Sequence, residues 1–136
     1  MACEVFAAAS FDERSTSRQQ LYVEFQSDGY YWYLYPYFES AKLPSKHELI
    51  DLYGDNEISG YELDRLENRL QDAKMDMQWR AESWLVTIGW SGSTISRKTA
   101  EQRMDHKETM LALIDRVLDV IAYAKSNELK LCVVGD

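Results

Sequence analysis

Polar and apolar residues alternate along Leu21 to Phe25 (LYVEF), with Leu21, Val23 and Phe25 on one side and Tyr22 and Glu24 on the other. A period of two is the pattern of a half-buried strand. The next apolar stretch, Tyr30 to Phe38 (YYWYLYPYF), is the densest aromatic run in the chain. Aromatic side chains suit a pleated, half-buried surface, so this run predicts a second strand. One face would carry Tyr30, Trp32, Leu34 and Phe38; the other would carry Tyr31, Tyr33, Tyr35 and Tyr37. Pro36 has no backbone donor, which places such a strand at a sheet edge or a bulge. Between the two strands, Ser27, Asp28 and Gly29 supply a turn, and the whole reads as a hairpin.

Further elements follow from the same patterning. CEVFAAASF near the start admits a short strand without fixing one and is left out of the count, and ELIDLYGD gives a third strand around Leu49 to Tyr53, closed by Gly54. In ISGYELDRLENRLQDAKMDMQW, Leu63, Leu66, Leu70, Ala73 and Met77 recur at spacings of three and four, the stripe of a helix. Ser59 and Glu62 form a capping box at its head. Ser83 to Trp90 (SWLVTIGW) predicts a strand with Trp84, Val86, Ile88 and Trp90 on one face, followed by a weaker strand near Thr94 to Arg97. Asp105 and Glu108 repeat the capping-box spacing before a second helix, Lys107 to Lys125, whose apolar residues cover more than one stripe. Asn127 ends it, and LKLCVV forms a last strand.

The predicted order is β-β-β-α-β-β-α-β, an α+β fold. A mixed, mostly antiparallel sheet of five to six strands would carry two helices on one face. The other face is then left to solvent or to a partner, and the tyrosine row would lie there. At 136 residues the chain fits one domain, residues 1–136, with one core.

Charge changes the picture more than composition does. The net charge is −8, and most of it falls between Glu48 and Asp76, where nine acidic residues face three basic ones. Such a field repels nucleic acid and anionic membranes and attracts basic partners. The N-terminus lacks the basic start of a signal peptide and no apolar run spans a membrane, so a cytoplasmic protein is expected. Cys3 and Cys132 have no metal or redox spacing and read as buried thiols.

Candidate chemistry adds little. Read as a calcium loop, Asp51 to Glu62 puts Tyr53 at its third position and Asn56 where glycine belongs; starting at Asp55 puts Leu66 at the twelfth. Neither register completes a shell, and no metal or cofactor is expected. GWSG at Gly89 to Gly92 misplaces the second glycine of a nucleophile elbow. His47 and His106 have no spaced partners, and no phosphate-binding glycine loop is present. An enzyme is therefore the third reading.

The stretches YYWYLYPYFES and IDLYGDNEISGYEL resemble those of small bacterial proteins of similar length and element order. The profile as a whole resembles that of bacterial immunity proteins, which neutralise a cognate toxin by binding it. The likeness lies in size, acidity and aromatic content and assigns no residue a role. It implies a non-catalytic binding protein that meets a basic toxin or enzyme. Rings at Tyr31, Tyr33, Tyr35 and Tyr37 would anchor the contact, and the acids Asp55, Glu57, Asp64 and Glu67 would steer it. The alternative is a homodimer or small-ligand module built on the aromatic face.

Overall fold

The aromatic run forms a helix, not a strand. The computed structural model describes residues 3–9, 22–25, 28–41, 56–91 and 99–134. In chain order its elements are β1 (Cys3–Ala8), β2 (Tyr22–Phe25), α1 (Asp28–Ala41), β3 (Asn56–Ile58), α2 (Gly60–Met77), β4 (Ser83–Ser91), β5 (Thr99–His106), α3 (Lys107–Ser126) and β6 (Lys130–Val134). Within α1 the buried residues are Tyr30, Tyr31, Leu34, Phe38 and Ala41, which follow the helical period. Nearly every position in the run is aromatic, so its sequence satisfies either period. Aromatic residues lose less than ~0.7 kcal/mol each in a helix, whereas burying one ring contributes ~1.5–3 kcal/mol. Tertiary packing therefore decides. Pro36 lies inside the helix on its exposed side, where water can serve the carbonyl its missing N–H leaves open.

Among the described residues the expected order is corrected to β-β-α-β-α-β-β-α-β: three helices, a four-stranded antiparallel sheet and a separate two-stranded hairpin. The sheet runs β2-β1-β6-β3. Alternation sends Val5, Ala7, Val23, Phe25, Ile58, Leu131 and Val133 to the side where the helices pack. There Phe25 meets the rings of Tyr31 and Phe38 edge-on, with centroids 6.2 and 6.3 Å away. α3 lies against β1, β2 and β6, while α2 packs between α1 and α3. The expected stripes hold: Leu63, Leu66, Leu70, Ala73 and Met77 of α2 are buried, as are Ile114 and Val117 of α3.

The sheet's other side is not left open as expected. Phe6, Ala8 and Cys132 form a second buried cluster there. Burial pushes the Cys132 thiol up to about 11, so it stays neutral at physiological pH.

β4 and β5 pair with each other and pack on α1 and the start of α3. A register shift between Thr87 and Gly89 breaks the strict alternation on which a shared face from Trp84 to Trp90 depends. β5 spans the polar stretch after the expected Thr94–Arg97 strand, and residues 92–98 lie outside the described residues. The expected strand Leu49–Tyr53 also lies outside them.

Capping differs as well. Ser59 holds the N-cap of α2, but its side chain makes no cap hydrogen bond. The N-cap of α3 is His106, not Asp105, because β5 stays extended through His106 and runs straight into the helix at Lys107. Asn127 is the C-cap of α3, and its amide donates to the Tyr123 carbonyl at 2.9 Å.

Candidate functional site

α2 carries two charged flanks, and they face different neighbours. On the α3 flank, Lys125 Nζ lies 2.8 Å from Asp64 and 3.2 Å from Glu67, and Lys74 pairs with Asp115 at 2.7 Å. The hydrogen bond with Asp64, then that with Glu67, raises the Lys125 pKa above its ordinary value. On β3, Glu57 pairs with Lys130 at 3.0 Å. Three of the four expected steering acids are thus held by the chain's own cations. Asp55 lies outside the described residues.

The α1 flank of α2 is built differently. Tyr33 and Tyr37, one helical turn apart on α1, stack with centroids 6.2 Å apart. Arg69 of α2 lies over the Tyr37 ring at 5.1 Å and donates to Ser40 Oγ and Asp72. Tyr37 donates its hydroxyl proton to Asp76 at 2.7 Å. Burial, then that hydrogen bond, raises the Tyr37 pKa and keeps the hydroxyl a donor. At the other end, the Tyr33 ring lies 5.9 Å from Trp84 of β4. The guanidinium of Arg80 sits over both, 5.1 Å from Tyr33 and 4.9 Å from Trp84. One step past Arg69, Arg65 donates to the Ser40 carbonyl and covers Tyr61. Rings and guanidiniums therefore run in sequence from Trp84 to Tyr61 across three elements. Each cation–ring contact is worth ~0.5–1 kcal/mol at an exposed site.

The turn after α2 completes this face. Trp79 is 91% exposed, yet its turn is fixed. The N–H groups of Gln78, Trp79 and Arg80 donate to Met75, Asp76 and Met77. Lys107 Nζ donates to the carbonyls of Gln78 and Arg80, and its backbone N–H to Glu82. A large ring is thus presented to water from a rigid mount. Beyond it, the directly paired Leu85 and Met104 of the hairpin are also exposed, at 61% and 45%.

Of the four expected tyrosines, Tyr33 and Tyr37 belong to this face. Tyr31 is buried, 5.9 Å from Phe38, and Tyr35 packs half-buried beside it at 6.1 Å. The tyrosines and the acids Asp64 and Glu67 do not converge, since they occupy opposite flanks of α2. Sequence reasoning missed Arg69, Trp79, Arg80 and Trp84; the one available signal was MQWR, a tryptophan and an arginine where the apolar stripe of α2 ends.

Cavities offer less. One of about 100 Å³ lies beside Glu24, Tyr30, Leu113 and Arg116, well below the ~300 Å³ of a small-ligand site. A hollow of about 400 Å³ opens where α2 begins and α3 ends, and its charged groups include the paired Asp64, Lys125 and Lys130. Among the described residues no group of three or more His, Cys, Asp or Glu side chains is gathered for a metal. No described helix is long and apolar enough to cross a membrane. No family model, curated protein or solved structure matches the chain.

Proposed function

We propose that this chain is a non-catalytic binding protein that holds a basic protein partner against the α1 flank of α2. Its sequence profile makes an immunity-type inhibitor of a basic toxin the form we favour. One observation carries the reading: Trp84, Arg80, Tyr33, Tyr37 and Arg69 form a largely half-buried row of touching rings and guanidiniums, with the exposed Trp79 next to Arg80 on the same turn. Tyr, Trp and Arg dominate the energetic centres of protein interfaces. Rings and guanidiniums that are already stacked lose little further freedom on binding. The acids tied to Lys125 and Lys130 contribute to the molecule's field rather than to contact. With a net charge of −8, that field attracts a basic partner from a distance.

The test is to screen candidate basic proteins, the products of neighbouring genes first, and to follow association with any that binds by stopped flow at two salt concentrations. The on-rate should fall as salt rises, because screening acts over ~8 Å at physiological ionic strength. No measurable complex, or an on-rate indifferent to salt, counts against this mechanism. A second reading has its own support: the exposed Leu85–Met104 pair favours two copies meeting through the hairpin. Sedimentation at rising concentration separates the two.

A further inference from the structure

Resting on that binding reading, we infer that Arg80 is the docking point for a carboxylate side chain of the partner. Other cations among the described residues are already occupied. Arg69 has Asp72, Lys74 has Asp115, Lys125 has Asp64 and Glu67, and Lys130 has Glu57. Lys107 donates to two carbonyls and Arg65 to one. Arg80 differs. Its contacts are the ring faces of Tyr33 and Trp84, and among the described residues no oxygen accepts a hydrogen bond from its guanidinium.

Two ring faces hold this guanidinium by its carbon and satisfy none of its donors. A guanidinium presents five N–H groups in a fork that matches an oxyanion with two oxygens. In a chain with 23 acidic residues against 15 basic, an arginine stacked on rings and left without a carboxylate is set to receive one from outside. Its backbone is pinned, since the Arg80 carbonyl accepts from Lys107 and its N–H donates to Met77. Trp79, on the same turn, offers apolar surface beside it. The group recognised is thus an acidic side chain with an apolar neighbour. Phosphate matches the same fork, but its second charge meets more repulsion from a molecule of net charge −8.

Three blocked peptides test this: acetyl-Leu-Glu-Leu-amide, its glutamine counterpart and its phosphoserine counterpart. Each is titrated into the whole protein while the Arg80 Nε–H and Trp79 indole N–H signals are followed by NMR. The glutamate peptide should bind about threefold tighter than the glutamine peptide, the scale of a solvent-exposed ion pair. Arg80→Gln should erase that difference, and Arg80→Lys, which keeps the charge but not the fork, should erase most of it. Arg80 is on the surface, and a thermal melt confirms that each variant folds.

Equal binding of the first two peptides by the native protein would overturn the inference, as would a preference that persists in Arg80→Gln. A phosphoserine peptide that outranks glutamate would also overturn it, making the site a phosphate reader. No partner protein enters the measurement. Intact peptide preference without a complex therefore fails the binding reading alone, and equal peptides alongside a salt-sensitive complex fail this inference alone.

Discussion

Glu128 sits at a φ of 56°, just after the C-cap of α3. A residue with a Cβ loses ~1–2 kcal/mol in that left-handed region, and glycine does not. Glu128→Gly should therefore raise stability by ~0.5–1 kcal/mol in a urea melt, once the added freedom of the unfolded chain is subtracted. A fall would mean that Glu128 makes contacts worth more than its strain. At Cys132 the relevant quantity is a proton. Burial raises the thiol from 9.0 to about 11, so the folded state holds its proton more tightly than the unfolded chain. That contribution to stability is full below pH 9 and is lost as pH rises towards 11. Alkylation mapped to Cys132 at pH 8 should be far slower in the folded protein than in denaturant. Equal rates would mean that the thiol is reachable.

At the level of elements, α2 and α3 were legible because their buried stripes repeat cleanly and their flanks are charged. Leu70 is fully buried in the α2 stripe, so Leu70→Ala should cost ~2–5 kcal/mol in a denaturant melt. A cost under ~0.5 kcal/mol would mean that this helix face is misassigned. α1 was not legible, because Tyr30 to Phe38 offers rings at every phase and Pro36 argues for an edge strand. What settles the helix is burial of Tyr30, Tyr31, Leu34, Phe38 and Ala41 in a core shared with Phe25 and with residues of β1, α2, α3 and β6, most of which no local window contains. Pro36 supplies the matching test. Inside a helix it removes a hydrogen bond and crowds the preceding turn, so Pro36→Ala should stabilise the fold by ~1 kcal/mol or more. In an edge strand the same change would be nearly neutral. The candidate face was half legible for a related reason. Tyr33 and Tyr37 stood out as rings, but their stacking partners Arg80, Trp84 and Arg69 come from other elements.

Across the whole molecule, the proposed binding function would divide its work between charge and rings. The net charge of −8 acts at a distance, while Asp64, Glu67 and Glu57 are held by Lys125 and Lys130 and offer little to a direct contact. On the proposed reading the two flanks of α2 should contribute unequally, and one measurement compares them: the affinity for a basic partner found by that screen, with one flank altered at a time. On the α1 side, Tyr33→Ala or Trp79→Ala should each weaken binding by ~2 kcal/mol or more, about 30-fold in Kd. On the α3 side, Asp64→Asn with Glu67→Gln should change it by less than about threefold. If the ring variants bind like the native protein while the carboxylate pair abolishes the complex, the contact lies on the other flank and the face from Trp84 to Tyr61 is not where the partner sits.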